Sequence, residues 1–309
     1  MSIRRIGTRG AVARIGIAGI ALTSAVALGA CSSNSGSGGS SPSASASVSV
    51  DAALAAKVPA DIKSTGKLTY GTDASYAPNE FLAEDGSTIQ GFDVDLGNAI
   101  ATKLGLTGNF VNATFGTIIT GVTKGKFNAG MSSFSITDER MKQVNMVSYF
   151  NAGTAWAAKS GNPTGITPEN ACGKTVAVQK DTVQVEDLEK RSTACKNASK
   201  GEITLQQYSL QSEATTALVS GKVDAMAADS PVIAYAIKQS GQIQQVGDIY
   251  DSAPYGIAIA KSASGTEFAP VVQAAINALI ADGTYKQILD KWGVANGAVK
   301  ESKLNSTTG

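Results

Sequence analysis

The chain has 309 residues, of which 43% are hydrophobic and 17% are charged, as in an ordinary globular protein. Its 26 Lys and Arg residues nearly balance its 25 Asp and Glu residues, so its charge does not indicate a nucleic-acid partner. Histidine is absent, which excludes Ser-His-Asp and Cys-His nucleophile activation and removes the commonest metal ligand.

The first 30 residues are predicted to be a lipoprotein signal peptide. The basic start contains Arg4, Arg5, Arg9 and Arg14. The apolar run that follows, residues 15–30, is shorter than the ~20 residues of a membrane-spanning helix, which disfavours a transmembrane anchor. The run ends in the letters LGAC, which resemble a bacterial lipobox. Cys31 is therefore predicted to carry a lipid that holds the chain at the extracytoplasmic face of the cell membrane.

Residues 31–56 are predicted to form a flexible tether between the lipid and the folded body. The segment 32–50 consists mostly of Ser, Gly and Ala, with too few large apolar side chains to offset the entropy of ordering. The folded body is expected to begin near residue 57. At the other end, residues 299–309 are expected to form a polar tail that is frayed beyond residue 300.

Short β-like runs alternate with helical patterns in the middle of the chain. The first series has predicted strands at 67–71, 110–112 and 129–132 and helices at 94–104 and 117–124. The second series has strands at 174–179, 203–206 and 223–227 and helices at 185–191 and 212–220. Such alternation is typical of an open, mostly parallel sheet, so two α/β units are predicted. Two amphipathic helices, at 268–280 and 285–292, are interpreted as covers of a sheet.

Two cysteines remain beyond the predicted lipidation site, Cys172 and Cys195. An even pair in an oxidising compartment is expected to form a disulfide, which stabilises the fold by about 3 kcal/mol through restriction of the unfolded chain. The alternative is a pair of free thiols.

Polar side chains follow the predicted strands at their carboxyl ends, where open α/β sheets bind small molecules. Asp73 follows the first strand, Ser133, Ser135 and Arg140 follow the third, Thr182 follows the fourth, and Asp229 follows the sixth. Two anionic groups, one cation and several hydroxyls together match a zwitterionic ligand.

Arg140 is the most informative of these residues. Thr137 has the character of a helix N-cap, which places Arg140 in the first helical turn, where the helix dipole disfavours a cation. A bound carboxylate would reverse this argument, because it pairs with the guanidinium and with free backbone N–H groups. The alternative is a simple ion pair with Asp138 or a neighbouring surface acid.

Four sequence segments carry a resemblance to a known family. They read MSSFSITDER at residues 131–140, SYAPNEF at 75–81, GFDVDL at 91–96 and AADSPVIAY at 227–235. In their order along the chain, within about residues 67–292, they resemble the family 3 bacterial solute-binding proteins, the polar amino-acid receptors of ABC importers. The resemblance implies a type II periplasmic-binding-protein fold with two α/β lobes joined by two crossing strands. The implied boundaries are 57–153 with 253–298 for lobe 1, and 154–252 for lobe 2.

The resemblance also implies ligand contacts. The position of Arg140 takes the α-carboxylate of the amino acid, and that of Asp229 takes its α-ammonium group. Positions that match Tyr76 and Phe115 sandwich the ligand, and that of Asp73 faces its side chain. The full predicted ligand-binding set is Asp73, Tyr76, Phe115, Ser132, Ser133, Ser135, Arg140, Thr182 and Asp229.

The implied protein is a monomeric receptor without a cofactor or metal. It closes its lobes on glutamine, a basic amino acid or a similar ligand and delivers it to an ABC transporter permease. An enzymatic alternative is a relative of the cyclohexadienyl dehydratases, in which Asp73 or Glu80 would protonate a leaving hydroxyl group. A sensor that signals to a membrane kinase would share the binding site. The interpretation as a receptor predicts no catalytic residue.

Two features depart from the family pattern, and a third allows two interpretations. Asp181 lies in a turn where relatives commonly carry glycine, and Asn79 is inserted before Glu80; both bear on specificity. Asp93 and Asp95 are spaced as a metal pair could be, but are interpreted as caps of the helix that follows.

Overall fold

The computed structural model describes residues 48–308. The predicted signal peptide, the lipidation site Cys31 and the first part of the predicted tether lie outside the described residues. Within residues 48–308, no helix is both long enough and apolar enough to cross a membrane.

Eleven strands and ten helices make up the described part of the chain. The strands are β1 Lys67–Thr72, β2 Ser75–Tyr76, β3 Glu80–Leu82, β4 Ile89–Gln90, β5 Thr107–Asn112, β6 Ala129–Gly130, β7 Val144–Lys159, β8 Thr175–Gln179, β9 Thr204–Tyr208, β10 Ala225–Asp229 and β11 Ile243–Ala260. The helices are α1 Ala52–Ala55, α2 Ala60–Thr65, α3 Phe92–Lys103, α4 Phe115–Thr123, α5 Asp138–Gln143, α6 Val183–Asn197, α7 Gln211–Ser220, α8 Ser230–Ser240, α9 Ala263–Ala281 and α10 Thr284–Trp292.

Two long strands hold the sheet together. The strand order is β5-β1-β6-β11-β7-β10-β8-β9, in which β7 and β11 pair antiparallel along most of their length. The pairs of β1 with β5 and β6, and of β8 with β9 and β10, are parallel. The predicted α/β class and the two crossing strands are therefore confirmed. We call the part built on β1, β5 and β6 lobe 1, and the part built on β8, β9 and β10 lobe 2; the exact boundaries given above stay a prediction.

The core of lobe 1 forms where α3 and α9 cover the sheet. Phe92, Leu96 and Ile100 recur at every fourth position of α3, so they share one face of the helix, and all three are fully buried. Phe268 and Ile276 of α9 belong to the same cluster. Full burial of each such side chain contributes roughly 1.5–3 kcal/mol, which fixes α3 and the segment before it against the sheet.

A disulfide joins Cys172 to Cys195, with the two Cα atoms 5.5 Å apart. The predicted pairing is confirmed, and the alternative of two free thiols is wrong. The bond ties α6 to the segment before β8. Cys195 lies in a buried cluster with Trp156 and Leu188, so the disulfide is part of the core of lobe 2.

Both ends of the described chain are more ordered than predicted. Ser302 is 2% exposed, and its hydroxyl donates to the backbone oxygen of Ser148 at 2.6 Å. Leu304 forms an antiparallel bridge with Val147, on the side of β7 that is not paired with β11. The expectation of a frayed tail is wrong for these residues, because the unpaired backbone of β7 offers them hydrogen-bond partners.

At the amino end, α1 lies within the segment predicted to be tether. The Asp51 carboxylate accepts from the backbone N–H groups of Ala53 and Leu54, which caps α1. The backbone N–H of Asp51 donates to the oxygen of Lys103 at 2.9 Å. The folded body thus begins before residue 57.

Candidate functional site

A cavity lies between the two lobes. All nine side chains that the sequence predicted as ligand contacts line it: Asp73, Tyr76, Phe115, Ser132, Ser133, Ser135, Arg140, Thr182 and Asp229. Four more lining residues were not assigned to the ligand from the sequence: Glu80, Gln179, Val183 and Gln184.

The carboxyl ends of four strands bring these side chains together. Asp73 directly follows β1, and the serines lie in the loop after β6. Gln179 and Asp229 are the last residues of β8 and β10. Because β1 and β6 belong to lobe 1 whereas β8 and β10 belong to lobe 2, each lobe contributes one wall of the cavity. The expected convergence of strand ends is confirmed.

Arg140 is held by backbone oxygens rather than by an acid. Thr137 is the N-cap of α5, and its hydroxyl oxygen accepts from the backbone N–H of Arg140 at 3.2 Å. The guanidinium donates from Nη1 to the oxygen of Ser135 at 2.9 Å and from Nη2 to that of Asp181 at 3.3 Å. No ion pair of the described residues joins Arg140 to Asp138 or any other acid. Two of its five N–H groups are used, so the others remain available to a ligand.

Aromatic rings and distant charges complete the surroundings of Arg140. The guanidinium carbon lies 5.5 Å from the centre of the Phe115 ring and 5.3 Å from that of Phe134. Burial lowers the pKa of Arg140, and the negative charges of Asp229 and Glu186 oppose that shift. The side chain is therefore a buried cation that needs a counter-charge.

Asp229 faces the cavity from lobe 2 and is 6% exposed. Its carboxylate accepts from Gln184 Nε2 at 2.7 Å and from the Tyr255 hydroxyl at 2.8 Å. Its backbone N–H donates to the hydroxyl oxygen of Tyr76 at 3.2 Å, so lobe 1 contacts the same residue. Burial raises the pKa of Asp229, whereas these hydrogen bonds and the charge of Arg140 lower it. The cavity thus carries a guanidinium on lobe 1 and a carboxyl group on lobe 2.

Asp73 is a second buried carboxyl group in the cavity, on lobe 1. It accepts from the Ser75 hydroxyl at 2.6 Å and from the backbone N–H of Phe115 at 3.0 Å. Gln179 Nε2 donates to it at 3.1 Å from lobe 2, a contact that the sequence did not reveal. Burial raises the pKa of Asp73, and the hydrogen bonds oppose that shift. Asp73 has polar neighbours but no cationic partner among the described residues.

Three of the predicted hydroxyl groups already donate within the protein. Ser132 donates to Glu80 Oε1 at 2.8 Å, Ser133 donates to Glu80 Oε2 at 3.1 Å, and Thr182 donates to the backbone oxygen of Gln179 at 2.8 Å. Any contact of these hydroxyl groups with a ligand would therefore use their oxygen lone pairs.

The amino end of α6 supplies further donors. Thr182 is its N-cap, without a side-chain capping bond, and Val183 and Gln184 are its first two residues. All three line the cavity. The first N–H groups of a helix have no partner inside the helix and carry a partial positive charge, so this wall of the cavity suits an anion.

A pair of fully buried carboxyl groups, Glu80 and Asp93, supports the serine loop from behind. Asp93 Oδ2 accepts from the Tyr149 hydroxyl at 2.7 Å and from the backbone N–H of Ser133 at 3.1 Å. Ser133 has a positive φ of 54°, which few residues other than glycine adopt. Burial and the charge of Asp93 raise the pKa of Glu80 well above its usual range, and burial raises the pKa of Asp93 to about 7. Both shifts favour a proton on the pair.

The interpretation of Asp93 and Asp95 as helix caps is wrong. The N-cap of α3 is Gly91, which has no side chain to cap with. Asp93 points into the core, whereas Asp95 accepts from Lys291 Nζ at 2.6 Å and Trp292 Nε1 at 2.7 Å. Within residues 48–308, no cluster of Asp, Glu or Cys has a geometry that could hold a metal ion.

We expect the free energy of unfolding to fall as the pH rises from 5 to 8. In the unfolded chain Asp93 loses its proton near pH 3.9, but in the folded chain it does so near pH 7. The folded state therefore binds more protons in this window, and stability declines with rising pH by at most about 1.4 kcal/mol per pH unit and group. Glu80 shifts in the same direction. Urea unfolding at several pH values measures the slope.

The Glu80→Gln variant is the control for this prediction. It keeps a neutral side chain at the position and removes one titrating group, the one whose pKa is raised by burial and by the charge of Asp93. Its stability is expected to vary less with pH than that of the unaltered protein. Equal slopes in the two proteins would show that the carboxyl pair does not retain a proton.

The chain is similar to known proteins over most of its length. The sequence profile of the bacterial extracellular solute-binding proteins, family 3, matches residues 68–295. An arginine-binding protein of Corynebacterium glutamicum is 35% identical over 99% of this chain and 98% of its own length. A solved structure of an ancestral arginine-binding protein bound to arginine is 35% identical, with a TM-score of 0.67 over 74% of this chain and 98% of its own.

A further solved structure bears on the enzymatic alternative. It is an ancestral amino acid-binding protein that is a precursor of cyclohexadienyl dehydratase. It is 33% identical, with a TM-score of 0.66 over 75% of this chain and 97% of its own.

Proposed function

Because the chain belongs to the bacterial extracellular solute-binding proteins of family 3, we propose that it captures arginine outside the cell for an ABC importer. The observation that carries the choice of ligand is the charge of the cavity. Two buried carboxyl groups, Asp73 and Asp229, face a single guanidinium, that of Arg140. A zwitterion leaves one carboxyl group without a counter-charge, whereas an amino acid with a cationic side chain neutralises it.

In the proposed complex, each charged group of the ligand has its own partner. The α-carboxylate binds Arg140 and the amino end of α6, where charge-assisted hydrogen bonds form. The α-ammonium group binds Asp229. The side chain extends toward Asp73, with the rings of Tyr76 and Phe115 on its two faces, an arrangement that suits a guanidinium. Glutamine can use the first two contacts but cannot neutralise the third group, so it is expected to bind more weakly.

Binding and closure of the lobes are coupled in this proposal. Arg140 belongs to lobe 1 and Asp229 to lobe 2, so only a closed form can hold both ends of the same molecule. The ligand shifts the population toward that form by its differential affinity for it. The closed, monomeric receptor is then recognised by the permease of the importer, and the lipid on Cys31 keeps it at the cell membrane.

A calorimetric titration tests the proposed function. With the chain that lacks residues 1–31, arginine is expected to bind at least tenfold more tightly than glutamine and to raise the melting temperature by mass action. Lysine provides the same charge in a different shape and is the matched comparison. If none of the twenty amino acids raises the melting temperature, the receptor function is wrong; if glutamine binds as well as arginine, the charge argument fails.

One observation favours a dehydratase as second candidate. Glu80 is a buried acid on the cavity wall, and burial and the charge of Asp93 raise its pKa, which favours the protonated form that a general acid needs. Its oxygens, however, accept from the hydroxyls of Ser132 and Ser133, and its proton serves the pair with Asp93. We therefore propose binding without catalysis. Formation of an aromatic product from prephenate or arogenate, lost in Glu80→Gln, would decide for the enzyme.

A further inference from the structure

Asp181 and Gly116 meet where the two lobes approach each other outside the cavity. Gly116 is the second residue of α4 in lobe 1, and Asp181 lies in the turn between β8 and α6 in lobe 2. A methyl group in place of the Gly116 hydrogen would lie 2.7 Å from Asp181 Cγ and 3.2 Å from its Cβ, and closer still to Oδ2. The absence of a side chain at position 116 therefore leaves the space that the carboxyl group of Asp181 fills.

The charge of Asp181 suits this place. Its carboxylate lies at the amino end of α4, where the first N–H groups of the helix give a partial positive charge. The N–H of Phe115, the first residue of α4, donates to Asp73 at 3.0 Å. The same helix end is thus approached by one carboxyl group from its own lobe and by one from the opposite lobe.

The backbone of Asp181 is also held across the lobes. Its oxygen accepts from Arg140 Nη2 at 3.3 Å. Its φ is 64°, in the left-handed region that is easy for glycine and uncommon for other residues, although Asp tolerates it better than most. A side chain is therefore present at a backbone position where glycine would fit without strain.

The contact lies at an outer groove that adjoins the cavity. The groove is lined by Gly116 and Asp181, and it shares Phe115, Arg140 and Val183 with the cavity. The first turn of α4 and the turn that carries Asp181 therefore border the groove from opposite lobes.

We propose that Asp181 and Gly116 form a closure contact that holds lobe 2 against lobe 1 at the entrance of the cavity and slows the release of the ligand. The part of the proposal that concerns ligand release rests on the proposed function, whereas the contact between the lobes does not. Asp181 is a positioning residue in this proposal, since it acts on the lobes and does not line the cavity.

A double-mutant cycle tests the closure contact. Gly116→Ala and Asp181→Gly are each expected to speed the dissociation of arginine by about threefold to tenfold, because one blocks and the other removes the contact. The double variant is expected to release arginine no faster than Asp181→Gly alone, since the added methyl group then meets empty space. Stopped-flow displacement of arginine measures the rates.

Two results would overturn the closure contact. One is a double variant in which the effects of the two single substitutions on the free energy of activation for dissociation simply add. The other is an unchanged dissociation rate in Gly116→Ala.

Small-angle scattering of the unliganded variants provides a readout that needs no ligand. Asp181→Gly is expected to be more open than the unaltered protein. Asp181→Asn, which keeps the shape of the side chain, is expected to lie between them. Equal scattering in all three proteins contradicts the contact, even if no amino acid binds.

Discussion

Replacing Arg140 by Ala is expected to weaken the binding of arginine by about a hundredfold to a thousandfold. Truncation of one partner of a buried, hydrogen-bonded charge pair costs about 3–4 kcal/mol, because the other charge is left without a partner. Here the charge left behind is the α-carboxylate of the ligand. The amino end of α6 retains part of the attraction, so the loss is large but not complete. Calorimetric titration of the purified variant measures it.

Agmatine, which is arginine without its carboxylate, identifies the group that Arg140 binds. It is expected to bind weakly to the unaltered protein and equally weakly to Arg140→Ala. Without a carboxylate on the ligand, the guanidinium of Arg140 has nothing to bind, so its removal costs no affinity. Arg191→Ala is the matched control, because Arg191 pairs with Asp187 on lobe 2, outside the cavity. Its affinity for arginine is expected to be unchanged. An undiminished affinity of Arg140→Ala removes the basis of the proposed binding mode.

The Asp229→Asn variant is expected to bind arginine about a hundredfold more weakly. The amide has the shape of the carboxylate but lacks its charge, and it adds N–H donors that face the ammonium group of the ligand. Gln184 and Tyr255, which now donate to the carboxylate, lose a charged acceptor as well. A charged hydrogen bond in a buried site typically contributes 1.5–3 kcal/mol. Calorimetry under the same conditions as for Arg140→Ala measures the loss.

An arginine analogue without the α-amino group separates recognition from structural damage. If Asp229 binds that group, the analogue is expected to bind the unaltered protein and Asp229→Asn with similar affinity. Asp248→Asn, on the exposed part of β11, is the matched control. A large loss for the analogue in Asp229→Asn indicates that the variant harms the fold of the cavity instead.

The sequence predicted those site residues that lie at or after the carboxyl ends of strands. Asp73 and Asp229 stand out because charged residues at the ends of buried β-runs are costly unless they meet a ligand or a partner. Arg140 stands out because a cation in the first turn of a helix is disfavoured by the helix dipole. Glu80 and Gln179 were not assigned to the ligand, although both line the cavity. Each contacts its partner over more than fifty residues of sequence, Glu80 with Ser132 and Gln179 with Asp73, so no local pattern could reveal the contact.

The predicted helix caps and the predicted chain ends were also wrong because their roles depend on contacts between segments that are distant in sequence. Asp93 was interpreted as a cap because an acid in the first turn of a helix is usual on the surface, and only the packing of Tyr149 and Ser133 around it makes it a core residue. The tail was predicted to be frayed because its residues are polar. It is ordered because β7 leaves backbone groups unpaired at the place where the tail passes.

The sequence by itself determined the alternation of strands and helices, the residues at the strand ends and the likeness to the family, because these depend on periodicity and on neighbours along the chain. Only the tertiary structure decided which carboxyl groups face the cavity, which one shares a proton with a neighbour, and which side chain of lobe 2 rests on α4. The physical reason is that burial and partner distance set the charge and the role of a polar group, and both arise when segments distant in sequence pack together.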